Sequence, residues 1–393
     1  MARFVGLFVL LLFGCAESNP DADRRHAIDR LMSAYQGDVP GASVLVIRNG
    51  DTVLRRSYGM SDLEHQVAAT PATNYRLASV TKQFTAAAIL LLAQEKRLSL
   101  DDPIRKWLPS LPAATTSITL RQLLTHSSGL IDYEEVMPAD TSRQLHDSDV
   151  LHLLEAQNRT YFEPGTQYRY SDSGYSLLSL VVARASGIDF ASFIRRRIFL
   201  PLGMTDTVAY EEGVSSVANR AYGYSQAATD SAVSAGAPSG PSWRRTDQSL
   251  TSAVLGDGGI YSSVDDLAKW DKALYGSGPL SEESLRAAFA PATSTDDPNV
   301  AYGFGWRITG ETVWHSGETL GFRNVIVRFP TRHFTVVILT NRNDPEPYTT
   351  ALAIAKLFIP DADAKRASAV VVGPDSAARP MPQVHRAEPG RKD

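Results

Sequence analysis

Strand-like segments crowd the two ends of this chain and thin out in its middle, an arrangement that few folds accommodate. Near the start, residues 42–58 ("ASVLVIRNGDTVLRRSY") form two β-rich runs joined by Asn49-Gly50. That dipeptide favours a two-residue hairpin, because both central positions take positive φ. Near the end come four more runs, at 302–310, 311–318, 323–330 and 333–341, and then a closing helix over "TTALAIAKLFI". Between about 100 and 250 the pattern turns helical, at 119–126, 147–158, 171–187 and 189–203, the last closed by Pro201 and Gly203. Residues 83–94 are apolar on nearly every face, which predicts a helix buried all round. The simplest architecture is α/β (α+β): one antiparallel sheet built from both chain ends and flanked by helices, with an all-helical domain inserted. The sheet domain takes residues 27–100 and 251–360, the helical domain 101–250; within it, the Ser/Ala/Gly/Pro-rich stretch 225–243 reads as an exposed loop.

The formal net charge is −4 and the pI about 6.1, so there is no basic footprint for nucleic acid. The first residues, "MARFVGLFVLLLFGCAES", hold one cation and an apolar run from Phe4 to Phe13. The run is too short to cross a bilayer and reads as the core of a signal peptide over residues 1–15. Leu12-Phe13-Gly14-Cys15 is similar to the bacterial lipobox. That similarity implies export to the periplasm or cell envelope and lipidation of Cys15, with membrane contact only through the N-terminal lipid anchor. The alternative is an ordinary secretory signal with an incidental cysteine. Cys15 is the single cysteine, so the mature fold has no intrachain disulfide. Residues 16–26 read as a linker, and 361–393, rich in Ala, Pro and Arg without periodicity, as a disordered tail. The sequence carries no signal of oligomeric state.

At the head of the buried helix stands Ser79-Val80-Thr81-Lys82. Residues three apart share a helical face, so the amine can meet the hydroxyl. A serine at a helix N-terminus also sits among unpaired N–H groups that favour developing negative charge. A lysine in an apolar site can have its pKa lowered enough to act as a base. Alone, the pair is equally well read as a helix cap and a surface cation.

Two further stretches change that balance: Tyr170-Ser171-Asp172 and His315-Ser316-Gly317. In this order and at these separations, the three elements resemble the signature of the serine β-lactamase and penicillin-binding-protein family, S-x-x-K, then S-D-N or Y-x-N, then K-T-G. "LLTHSSGL", "LGMTDT", "GDGGIYSSVDDLAKW" and "YGFGW" look like framework segments of the branch that holds class C β-lactamases, DD-carboxypeptidases and related esterases. The resemblance runs from about residue 39 to 345. It implies a β-lactamase/transpeptidase-like fold and a serine hydrolase that needs no metal or organic cofactor. Ser79 would be acylated, with Lys82 and Tyr170 forming a coupled proton-transfer unit and His315 completing the catalytic set. The oxyanion hole would use the backbone N–H groups of Ser79 and Glu318. Asp172, Ser316 and Gly317 would line the substrate site, glycine fitting because substrate must approach that backbone closely.

Two positions depart from the family pattern. Asp172 stands where class C β-lactamases have asparagine; ionised, it only accepts hydrogen bonds and can pair with Lys82, raising the lysine's pKa. His315 stands where they have lysine, and a neutral imidazole lacks the fixed cation that attracts a substrate carboxylate. Together they favour small-molecule ester or D-amino-acid peptide substrates over β-lactams, with an active β-lactamase as the alternative. A reading of another class is a non-catalytic binder of cell-wall peptides or β-lactams. His126 in "THSSG" reads as a structural helix-end histidine, and His146 and His152 fit no zinc spacing.

Overall fold

The computed structural model describes residues 20–226 and 242–362. The signal segment with Cys15, and the tail beyond residue 362, lie outside the described residues. Residues 20–26, expected as linker, instead open a helix, α1 (Pro20–Leu31). The hairpin follows as β1 (Ala42–Arg48) and β2 (Asp51–Tyr58). Its turn has Asn49 at φ 53° and Gly50 at φ 85°, the double left-handed geometry that matches strand twist.

Next come the buried helix α2 (Lys82–Gln94), then α3 (Asp172–Ser186) and α4 (Val264–Lys272). Six strands complete the sheet: β3 (Thr293–Ser294), β4 (Ala301–Tyr302), β5 (Arg307–Thr309), β6 (Thr312–Thr319), β7 (Phe322–Phe329) and β8 (Phe334–Thr340). The final helix is α5 (Pro347–Phe358). Strand order is β3-β4-β5-β6-β7-β8-β1-β2, antiparallel throughout. The N-terminal hairpin thus docks on the last strand, with Ala42 opposite Thr340 and Arg48 opposite Phe334.

Strand alternation gives the sheet two apolar faces. Val44, Val46, Val325, Val327, Val336 and Ile338 face α1 and α5. Leu45, Ile47, Phe322, Ile326, Val337 and Leu339 face the opposite way, into a core shared with α2 and the helical region. On that inner face a fully buried ion pair joins Arg328 of β7 to Asp271 of α4 at 2.7 Å, with the Thr335 hydroxyl donating to Asp271.

The middle of the chain is not purely helical. Val208–Ala209 pairs with Ile260–Ser262, which also pairs with Tyr75–Arg76 just ahead of α2. These short strands tie the helical region to the segment that carries Ser79. Two-residue strands leave too little alternation to be read from sequence.

Candidate active site

Ser79 lies in a 3-10 turn, Ala78–Thr81, that runs directly into α2. Ala78 is held at φ 49°, a left-handed conformation that costs a non-glycine residue about 1–3 kcal/mol and collects at functional sites. β6 packs against this turn. A side chain at Gly317 would put its Cβ 2.1 Å from the Leu77 carbonyl oxygen, so only glycine permits the approach. That approach carries the backbone of Glu318 alongside the turn, while the Glu318 carboxylate is held by Arg323 at 2.9 Å.

At the first position of α2, Lys82 is fully buried. Its Nζ donates to Ser79 Oγ (3.0 Å), to Asp172 Oδ1 (2.5 Å) and to the Asp257 carbonyl oxygen (3.0 Å). An ammonium has three N–H groups, and all three are used. Burial works against its charge, but Asp172, then Tyr170 and Asp257, overcome it and hold the lysine above its ordinary value. The expectation of a lysine with a lowered pKa therefore gives way to the alternative, a lysine paired with Asp172. The contact is the one expected of an ionised aspartate at position 172.

Asp172 is the first residue of α3, and its own N–H donates to Asp132 Oδ2 at 2.9 Å. Asp132 Oδ1 also accepts from the Glu134 N–H, capping the short helix Tyr133–Val136. Burial, then the charge of Asp172, push the Asp132 carboxyl up to about 6. The buried Asp257 carboxyl, which accepts from the Tyr133 hydroxyl at 3.2 Å, is raised well above the carboxylate range by burial and then by Asp172.

Tyr170 places its ring 4.9 Å from Lys82 Nζ. Burial pushes its phenol up to about 12 against the opposing pull of Lys82. His126 packs on the same ring, centroids 4.2 Å apart, and its Nδ1 accepts the Ser171 N–H at 3.2 Å. His126 is therefore a buttress for Tyr170, in keeping with its structural reading.

His315 faces this cluster from β6, but both its ring nitrogens are occupied. Nδ1 is 2.6 Å from the Ser316 carbonyl oxygen, which can only accept, so Nδ1 carries the proton. Nε2 then accepts from the Tyr302 hydroxyl at 2.8 Å. Burial, with Arg307 and Lys82 nearby, holds the imidazole well below its usual value, so it is neutral.

Ser79, Lys82, Tyr170, Asp172 and His315 thus converge from three separate parts of the chain. Asp132, Asp257 and Tyr302 join them without having been singled out in the sequence. Two of these had a signal, since Asp257 sits within "GDGG" and Tyr302 opens "YGFGW". Asp132 follows "LLTHSSGL" by one residue and has no motif of its own.

A serine hydroxyl on a buried lysine, beneath an antiparallel sheet and beside a mainly helical region, belongs to a serine hydrolase. The chain belongs to the Beta-lactamase family, whose model matches residues 25–359. It is 30% identical over 322 residues to penicillin-binding protein 4* of Bacillus subtilis strain 168, covering 79% of this chain and 70% of that protein. To protein flp of Staphylococcus aureus it is 30% identical over 331 residues, 82% of this chain, and spans 64% of that protein's length. Among solved structures, the D-amino acid amidase of Ochrobactrum anthropi SV3 in complex with L-phenylalanine amide superposes with a TM-score of 0.71 at 25% identity, covering 88% of this chain and 99% of that one.

Proposed function

We propose that the protein hydrolyses small-molecule esters or amides that need no carboxylate for recognition, D-amino-acid amides among them, through an acyl-enzyme on Ser79. In the first half-reaction Ser79 Oγ attacks the carbonyl carbon and its proton leaves through Lys82, with the Tyr170 ring packed beside the amine. The carbonyl oxygen gathers the charge against the Ser79 and Glu318 N–H groups, and the leaving oxygen or nitrogen departs protonated. Water then takes the place of the leaving group, and the acid is released. Ser316 and Gly317 form the strand along which the acyl group lies.

The observation that carries this substrate reading is that His315, where the β-lactamase pattern has lysine, is neutral and fully engaged. Lys82 has each of its hydrogens engaged, and His315 is neutral with both nitrogens engaged. Residues 227–241, outside the described part, contain no Lys, Arg or His. A substrate carboxylate, as in β-lactams or D-Ala-D-Ala peptides, finds no cation at residue 315, whereas an ester or a primary amide needs none. The amidase likeness supports the amide branch; the penicillin-binding relative keeps β-lactam hydrolysis as the rival.

The test is turnover of p-nitrophenyl acetate, a D-amino-acid amide, a D-Ala-D-Ala peptide and nitrocefin side by side, with Ser79→Ala as control. Ester or amide turnover lost in the variant supports the proposal. Nitrocefin as the best substrate would replace it with a β-lactamase, and failure of any reagent to acylate Ser79 would leave a binding protein. We further propose that the chain is exported and lipid-anchored at Cys15 in the cell envelope, a reading supported by the lipobox-like segment and tested by labelling with a clickable fatty acid in Cys15→Ser and unaltered protein.

A further inference from the structure

Lys82 presents a difficulty as a base. Held as an ammonium with three engaged hydrogens, it has no lone pair, so it cannot take the Ser79 proton until one of its own has gone. Its three acceptors are not equivalent. The Asp257 contact is a main-chain carbonyl, which does not keep a proton. Ser79 is the group that must lose one. Only the carboxylate of Asp172 can hold what the lysine gives up.

We infer that Asp172 is the proton acceptor that returns Lys82 to its basic form, so that the working centre is a line, Ser79–Lys82–Asp172, rather than a pair. The inference rests on the reading of Ser79 as nucleophile and adds to it where the proton goes. As the Oγ–carbon bond forms, the Oγ–H bond breaks and the proton passes to Nζ. At the same time the Nζ–H directed at Asp172 breaks and a new O–H forms on Oδ1. The carbonyl π pair moves onto oxygen. Lys82 ends as the ammonium it began as, and one negative charge has moved from the carboxylate to the oxyanion. On collapse, the proton returns from Oδ1 through Nζ to the leaving oxygen or nitrogen.

The surroundings single out Asp172 for this task. Asp132, Tyr133, Glu134, Tyr170 and Asp257 are the titratable groups that feel its charge, and Lys82 is the one that bonds it. Asp132 spends its oxygens on two main-chain N–H groups, and Asp257 meets Tyr133, so neither side chain bonds the ammonium. Asp172 is also 24% exposed while Lys82 is sealed, so water can stabilise its changing charge. Tyr170, kept as a neutral phenol by its burial, cannot substitute as the acceptor near neutral pH.

Asp172→Asn and Asp172→Glu in the full chain test this, read by the pH profile of kcat/KM on p-nitrophenyl acetate. An aspartate that only pairs with Lys82 would, once removed, let the lysine's pKa fall and move the acid limb to lower pH. The expected result is that Asp172→Asn loses roughly 100-fold near neutral pH and its acid limb moves to higher pH, because activity now waits for Lys82 to deprotonate into solvent. Asp172→Glu should restore the limb. A rate within about twofold of the unaltered protein, or an acid limb in Asp172→Asn that stays in place or moves to lower pH, would overturn the inference. Should Asp172→Asn fail to fold, the unaltered enzyme decides by proton inventory in mixed H2O and D2O: a curved plot showing two protons in flight supports the line, and a linear plot overturns it. Loss of Ser79 labelling by a fluorophosphonate in the unaltered protein would instead sink the nucleophile reading.

Discussion

Gly317 shows how narrowly the site is set at the scale of single residues. Its missing side chain lets β6 touch the Leu77 carbonyl, so the position of the Ser79 turn depends on one hydrogen. Gly317→Ala is expected to push strand and turn apart by something on the order of 1 Å and to cost roughly 100-fold in kcat/KM, with a smaller change in melting temperature. Lys82 and Asp172 give a second expectation. Replacing Lys82 alone by Met leaves the partly exposed carboxylate without its partner, and should destabilise the fold by about 1–3 kcal/mol in urea titration. Lys82→Met with Asp172→Asn should recover much of that stability while remaining inactive, since the unpaired charge is gone but the base is not restored. Ser79, Lys82, Tyr170 and His315 were legible in the sequence because their spacing within short motifs survives without any knowledge of the fold. Asp132 was not, because what matters about it is its reach to the first N–H of a helix forty residues away.

At the level of elements, Asp132 joins two helix starts, capping Tyr133–Val136 with one oxygen and the head of α3 with the other. Its carboxyl lies above the ordinary carboxylate value when folded, so the folded state binds its proton more tightly than the unfolded chain does. That contribution is fully present below about pH 4, and is lost as pH rises through about 6. Melting temperature followed across this window should therefore carry a falling component that Asp132→Asn removes, even though the variant is weaker overall through its poorer caps. The Asp271–Arg328 pair plays a similar joining role between α4 and β7. Asp271→Asn is expected to cost about 3–5 kcal/mol by leaving the guanidinium unpaired among aromatic rings. The elements themselves were readable where their pattern was long. The Asn49-Gly50 hairpin, the buried helix and the last three long strands announce themselves. The short strands at Val208–Ala209 and Ile260–Ser262 do not, since tertiary pairing rather than local alternation defines them.

For the molecule as a whole, the division into a sheet from both ends and helices between them follows from the sequence pattern, but the order of strands does not. Near-continuous apolar runs mark β1 and β8 as buried on both faces without saying that they are neighbours. The outer layer of α1 and α5 likewise brings together the two extremes of the described chain over one apolar face. Ending the chain at residue 342 removes α5 and should leave Val325, Val327, Val336 and Ile338 uncovered; the expected outcome is a protease-sensitive product with no cooperative thermal transition, not a slightly weakened enzyme.

The pairing of β1 with β8 also governs how the chain comes into being. Synthesis delivers β1 first and β8 almost last, with the entire helical region between them. Until Phe334–Thr340 emerges, the hairpin has one open edge and Ser79 has no finished sheet against which to settle. A chain threaded end-first through a ribosome tunnel or any other narrow passage thus stays without its final tertiary structure until nearly all of it has come through. During that interval the sticky edges of β1 and β7 are the places where a chaperone has most to protect.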